Sequence, residues 1–330
     1  MEVSECISLE HDADIGAVRR RFAALAAAAG LDESRTGDAA IIATELATNV
    51  RRHAGHGGAL LGTAGAGGER GVVIAAWDRG PGMDLEACLR DGMSTAGTAG
   101  VGLGAVSRLA SQWDAFAPRG RGTVIVAHVL PARAAPRPRF EHGAVALPYP
   151  GLPVSGDAWD LHIDGAIATL IVCDGLGHGD GAADASRAVI DVFRARRGDA
   201  PAAILERANG AARPTRGAAA TIVRVDLAAR EAVIAGVGNV AAWVAAATAR
   251  QLVTQHGTLG HAMPRLREEC TPFPPGSTLV VASDGLKSRL DLSEPPGLLA
   301  RAPDVIAAAL WRDHHRGRDD ATVVVLREPR

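Results

Sequence analysis

The residues of this 330-residue chain best suited to chemistry are acids in short clusters, most of them beside glycine. Four such clusters lie in the C-terminal half: Gly156-Asp157, Asp174-Gly175-Leu176-Gly177-His178-Gly179, Ser283-Asp284-Gly285 and Asp319-Asp320-Ala321-Thr322. The last three adjoin apolar runs of strand type, and the first opens the segment before one. Acids at strand ends, lifted by glycine turns, are placed to converge on one cleft. Separated carboxylates with no His or Cys cluster suit hard cations, so Mg2+ or Mn2+ is expected rather than zinc. Two such ions about 4 Å apart activate a water and clamp a phosphoryl group for in-line attack.

A second constellation lies nearer the N-terminus. Glu45 and Asn49, in Glu45-Leu-Ala-Thr-Asn49, are four residues apart and share one face of a helix. An Asn oxygen can hold magnesium, and a Glu can take a proton from a hydroxyl. Asp78-Arg-Gly80-Pro-Gly82 ends an apolar run with an acid that can accept the exocyclic amine of adenine, and its glycines let backbone lie against a flat ring. The run from Ser94 through Gly97, Gly100, Gly102 and Gly104 enters a helix, where backbone N–H groups bind phosphate. Taken alone, each segment also describes a solvated helix face or an ordinary turn. A dinucleotide fingerprint is a poor fit to GVGLGA, since no strand directly precedes it and no acid follows at the required distance. Lys287 is the only lysine, which rules out a P-loop and a eukaryotic-type protein kinase.

These residues need elements to position them. The pattern predicts helices at 14–29, 37–54, 84–92 and 102–112, with strands at 71–78 and 123–130, a small sheet with helices on one face. PARAAPRPR (131–139) reads as a linker. Beyond it, strands are expected at 167–174, 219–226, 231–238, 240–246, 277–284 and 321–328, and helices at 181–196, 201–212 and 303–312. The expected division is a first domain over 1–130, a linker over 131–140 and a second domain over 141–330.

Composition limits the function classes. A net charge of −2 gives no basic excess for nucleic acid. No apolar run reaches the length of a membrane helix, and the acidic start does not resemble a secretory leader, so no membrane partner and a cytoplasmic location are expected. Cys6, Cys88, Cys173 and Cys270 are far apart and are expected to be free thiols.

In this order and spacing, the N-terminal segments resemble the GHKL ATPase superfamily across nearly all of residues 8–130. The ELATN helix and the DGMSTAGTAGVGLGAVSRL tail look most like the small RsbT-type serine kinases of bacterial partner switching. The resemblance implies an ATP site with Glu45 as general base, Asn49 as Mg2+ ligand and Asp78 under adenine. Gly80, Gly82, Gly100, Gly102 and Gly104 would shape the pocket. It also implies a serine or threonine on a STAS-domain partner as substrate.

The C-terminal clusters resemble the 2C-type metal-dependent phosphatases, in their SpoIIE/RsbX branch, over about 142–328. That resemblance implies Asp157 and Asp174 at a first metal, assisted by the Gly175 carbonyl, and Asp174, Asp284 and Asp319 at a second, with Asp320 as a secondary candidate. AGVGNV (235–240) matches a turn that approaches the site in this branch. Eukaryotic members carry a histidine directly after the Asp-Gly; here Leu176 stands there and His178 falls two residues later, as in the bacterial branch. No early arginine stands out as a phosphate clamp, and the short domain implies a reduced flap.

The fold class expected is α+β: a GHKL α/β sandwich (Bergerat fold), then an αββα phosphatase sandwich. The function expected is a bifunctional switch enzyme of a stressosome or sigma-factor pathway. It would use ATP and Mg2+ in one half, two Mn2+ or Mg2+ ions in the other, and act on STAS-domain anti-anti-sigma or stressosome proteins. The alternatives are a phosphatase whose GHKL module only senses ATP or docks a partner, and a non-enzymatic binding protein.

Overall fold

The computed structural model describes residues 2–65, 70–85, 102–131, 139–287 and 290–329. Its internal contacts divide the chain into two units, Met1–Arg137 with Pro295–Arg312, and Pro138–Glu294 with Asp313–Arg330.

The first unit contains β1 (Glu2–Ser8), α1 (Asp12–Ala28), α2 (Glu33–His53), β2 (Gly57–Ala64), β3 (Gly71–Asp78), α3 (Gly102–Leu109), β4 (Gln112–Phe116) and β5 (Val124–Val129). Its strands are ordered β1-β2-β3-β5-β4, each antiparallel to its neighbour. Helix α1 starts where Asp14 accepts the backbone N–H groups of Glu10 and His11; α2 starts where Asp32 caps the N–H of Arg35. Both helices bury Phe22, Leu46 and Val50 against Ile74, Ile125 and Ala127 of the sheet.

The opposite face of this sheet is where the sequence expectation fails. Helices were expected on one face only, yet Val73, Ala75 and Val126, pointing away from α1 and α2, are also fully or almost fully buried. Helix α6 (Pro303–His314) turns to this side. His128 of β5 hydrogen-bonds Asp304. Asp114 of β4 accepts the Ala302 N–H at 2.7 Å. Trp77 of β3 meets Trp311 edge-on at 5.7 Å. The physical reason is in β3 itself: GVVIAAWD is apolar on both alternating faces and needs cover on each.

The second unit stacks two five-stranded antiparallel layers. One runs β12 (Ala249–Leu252), β11 (Ala241–Ala245), β14 (Thr278–Ala282), β15 (Ala321–Arg327), β6 (Glu141–Leu147). The other runs β13 (Glu269–Pro272), β10 (Glu231–Val237), β9 (Ala218–Asp226), β8 (Ile167–Gly175), β7 (Asp157–Asp164). Phe140, Leu170, Val223, Ile234, Leu279 and Val324 fill the space between them. Helices α4 (Asp180–Ala195) and α5 (Pro201–Ala212) cover the outside of the β7–β10 layer through Val189, Phe193, Ile204 and Leu205.

Every expected strand of this unit forms within a residue or two of its expected ends, and so do all three helices placed beyond the linker. Strands β1, β2, β4, β6, β7, β12 and β13 were not anticipated. The expected helix at 102–112 ends at Leu109, because residues 112–116 pair with β5 instead. The expected helix at 84–92 falls almost wholly outside the described residues, as do Gly100, Cys88 and most of the linker. Cys6, Cys173 and Cys270 are free thiols. Among the described residues, no helix is long and apolar enough to cross a membrane.

Candidate functional site

Antiparallel pairing explains how the acids meet. Asp157 opens β7 and Asp174 lies at the end of β8, so the register sets them directly opposite each other. In the other layer β14 ends just before Asp284, and its partner β15 starts just after Asp319 and Asp320. Ser283 joins the two layers. Its hydroxyl donates to Asp157 Oδ2 at 2.6 Å and accepts the Thr322 N–H at 3.0 Å. Asn239 donates to Asp284 Oδ2 at 2.6 Å, and the Tyr149 N–H donates to Asp320 Oδ1 at 2.8 Å.

Two glycines permit this closeness. A Cβ on Gly285 would stand 1.8 Å from the Asp320 carbonyl oxygen, and one on Gly175 would stand 2.0 Å from that of Ala182. Only a residue without a side chain lets backbone pass so near. His178, on the same loop as Asp174, lays its ring against Tyr149 at 4.8 Å.

The acids feel one another. Burial pushes the Asp157 carboxyl up to about 7; hydrogen bonds from Ser283 and Thr322 oppose this, and Asp320 and Asp284 add to it. Burial, then the charges of Asp157, Asp284, Asp319 and Asp320, push Asp174 up to about 9. Asp319 is raised by burial and by Asp284, with Arg316 acting against them. The five carboxylates thus share one negative basin. Among the described residues no three of them close around a single point. Hard cations complete such shells with water and backbone carbonyls. Asp320 Oδ2 is buried and has no hydrogen-bond partner. A repelling all-oxygen set with an orphaned acceptor fits divalent cations.

A pH dependence follows. Asp157 and Asp174 titrate above the ordinary value of 3.8 when folded. The stability linked to them is therefore complete below that pH and is lost as pH rises through about 7 and about 9. The chelated protein should lose thermal stability from about pH 5 to pH 9. Added Mg2+ or Mn2+ should restore it, most at the alkaline end, by roughly 5 °C or more. Thermal melts with and without chelator check this; a melting temperature flat across that range would remove the shared basin.

In the first unit, Glu45 and Asn49 are half-buried on α2, one turn apart. No other described residue hydrogen-bonds either side chain, which leaves both available to a ligand. Asp78 is buried. Its Oδ1 accepts the N–H groups of Gly80 at 2.7 Å and Thr123 at 3.2 Å. That bonding fixes the carboxylate at the turn after β3. The C-terminal end of α2 approaches the same turn, since a Cβ on Gly80 would stand 2.8 Å from that of Ala54. Gly82 has a φ of +72 and packs on the Pro118 carbonyl. Gly102 opens α3, and Gly104 lies in its first turn. Arg312 of α6 donates to the Asp78 carbonyl at 3.3 Å. Sequence reasoning gave no role to Ser283, Asn239 or Arg312. The first two lie inside motifs already singled out, SDG and AGVGNV, and Arg312 carried no sequence signal at all.

Known proteins resemble both units. A family model described as Stage II sporulation protein E (SpoIIE) matches residues 164–329, just over half of the chain, and one described as a histidine kinase-like ATPase domain matches residues 9–128. Serine/threonine-protein kinase RsbT of Bacillus subtilis (strain 168) is 34% identical over 131 residues, 38% of this chain and 96% of RsbT. Phosphoserine phosphatase RsbX of the same organism is 26% identical over 138 residues, 41% of this chain and 69% of RsbX. A crystal structure of RsbX in complex with magnesium aligns with a TM-score of 0.52 at 21% identity, covering 60% of this chain and 99% of that one. At that identity the likeness is one of fold.

Proposed function

The chain belongs to the SpoIIE family over its C-terminal half and carries a histidine kinase-like ATPase domain ahead of it, and from that premise we propose that it is a bifunctional enzyme of a bacterial partner-switching pathway. The N-terminal unit phosphorylates a serine or threonine on a STAS-domain regulator, using ATP and Mg2+. The C-terminal unit removes phosphate from such a residue, using two Mn2+ or Mg2+ ions. Both act in the cytoplasm. The observation that carries this reading is that one chain holds both the Glu45–Asn49 pair, free on α2, and the five-carboxylate basin bridged by Ser283.

In the phosphatase unit, Asp157, Asp174 and the Gly175 carbonyl would hold one metal, and Asp174, Asp284 and Asp319 the other. The bound ions supply Lewis acidity and a nucleophilic water at neutral pH. Ser283 fixes the rotamer of Asp157, and Asn239 that of Asp284. The Tyr149 N–H holds Asp320 in place beside them. In the kinase unit, Glu45 takes the proton of the substrate hydroxyl, Asn49 holds Mg2+ and Asp78 receives adenine. The likeness of one unit to a serine/threonine-protein kinase and of the other to a phosphoserine phosphatase of the same organism supports a partner-switching role for the fusion.

Two opposed activities on one phosphosite would hydrolyse ATP to no effect. The two units therefore work at different times or on different targets. The alternative reading is a phosphatase whose N-terminal unit senses ATP or docks a partner without turnover.

The test uses the full chain and STAS-domain proteins from the same genome, with ATP-Mg2+ first and Mn2+ afterwards, following phosphate by mass spectrometry. The bifunctional reading expects a serine or threonine phosphate to appear and then to be removed. ATP binding without transfer to any STAS protein, alongside working dephosphorylation, would establish the sensing reading instead.

A further inference from the structure

The metal centre lacks one component that phosphate-ester hydrolysis demands. Five carboxylates and two divalent cations leave no net positive charge for a dianionic substrate. A fixed donor to the non-reacting phosphate oxygens is needed, and arginine is the side chain whose planar fork matches them. The sequence offers no early arginine that stands out for this role.

A late one lies against the metal loop. Arg216 stands two residues before β9, whose first residue, Ala218, pairs with Gly175. The Leu176 N–H donates to the Gly217 carbonyl at 3.0 Å, so the Arg216 turn and the Asp174–Gly179 loop are stitched together. The guanidinium lies along that loop. Its Nη1 is 3.5 Å from the His178 carbonyl oxygen. Cβ atoms added at Gly177 and Gly181 would stand 3.2 Å from Nη1 and 2.7 Å from Nε. Two glycines therefore vacate the space that the guanidinium fills. The backbone is held as well, since the Arg216 carbonyl meets His261 Nε2 at 3.0 Å.

The side chain is exposed, and among the described residues no carboxylate pairs with it. That is unusual beside so acidic a centre. Arg316, by comparison, already acts on Asp319. A cation seated against the loop that carries Asp174, but paired with no carboxylate among the described residues, is available to an incoming anion.

We propose that Arg216 is the substrate-phosphate clamp, donating its fork to the phosphate monoester of phosphoserine or phosphothreonine as that group settles on the metal centre. This rests on the phosphatase reading above. The exposed Leu176 on the same loop gives the residues flanking the phosphoserine an apolar surface beside the clamp.

The test compares wild type, Arg216→Ala, Arg216→Lys and Gly181→Ala as full chains loaded with Mn2+. Substrates are p-nitrophenyl phosphate and a phosphoserine peptide, and inorganic phosphate is the competing ligand. Arg216→Ala should raise KM and the phosphate inhibition constant by about tenfold to a hundredfold, the loss expected of a charge-assisted hydrogen bond. The Mn2+ concentration for half-activity should not move. Arg216→Lys should recover part of the loss, because it keeps charge without the fork. Gly181→Ala should shift KM in the same direction by displacing the guanidinium, and as a helix-favouring change it keeps the fold.

Unchanged KM and phosphate inhibition in Arg216→Ala, with turnover intact, overturn the clamp and leave the phosphatase reading standing. A rise in the Mn2+ requirement overturns it too, by making Arg216 a support of the metal loop. If wild type shows no Mn2+-dependent turnover, the phosphatase reading fails. Calorimetric binding of inorganic phosphate to the Mn2+-loaded protein then decides the clamp, and equal affinity in wild type and Arg216→Ala overturns it.

Discussion

Asp174→Asn abolishes hydrolysis of phosphoserine by the full chain, by roughly a thousandfold or more, and leaves ATP binding untouched. Asp174 is the residue on which the charges of the other four acids all act, and it lies opposite Asp157 across the β7–β8 pair. An amide there keeps the shape but gives up the anionic oxygen that, in the proposed assignment, would serve both metals. The same change should stabilise the chelated protein. A carboxyl pushed up to about 9 by burial and by its neighbours is a group the metal-free fold resists ionising. Asparagine removes that resistance, so the chelated variant should melt higher than wild type by roughly 3 °C or more at pH 8.5. A phosphoserine-peptide assay and paired melts read both effects. Retained turnover would sink the metal assignment. A variant that melts lower in chelator would show that Asp174 is not held under like-charge strain.

The second large effect belongs to the other unit. Glu45→Gln should lower phosphate transfer from ATP to a STAS protein by about a hundredfold to ten-thousandfold, the span of general-base catalysis. ATP affinity should stay the same, because glutamine fills the same half-buried position on α2 and only the proton acceptor is lost. Asn49→Ala, one turn on, should instead weaken Mg2+-dependent ATP binding. The contrast between the two variants identifies the chemistry: a base changes transfer, and a metal ligand changes affinity. Transfer at the wild-type rate in Glu45→Gln would remove Glu45 from the reaction.

How much of this could be seen in the sequence depended on burial. β8, β14 and β15 are buried on both faces, so each reads as a largely apolar run with an acid at or beside one end. That made the strands and the metal-site motifs visible together. β7 carries Asp157 and was missed, because DAWDLHID is only half-buried and alternates apolar with charged residues. β2, as GGALLGTA, has the glycines of a loop and hydrophobic cover only through its partners. At the nucleotide site the Glu45–Asn49 spacing was legible, since helical geometry alone puts both on one face. The contacts of Ser283 and Arg216 were not. Their partners lie 126 and 38 residues away in sequence, and only pairing of strands and loops brings them close.

Helix α6 was assigned from sequence to the C-terminal half, and its position has a consequence for how the protein is made. Residues 295–312 complete the first unit, although 138–294 lie between them and the rest of it. A ribosome releases the chain from its N-terminus, so the β3–β5 face carrying Val73, Ala75, Trp77 and Val126 emerges long before its cover exists. The nascent first unit must wait, part-built, until nearly the whole polypeptide has been synthesised. For the same reason a cut at the proline-rich linker would separate the upstream product from residues 295–312, which group with it.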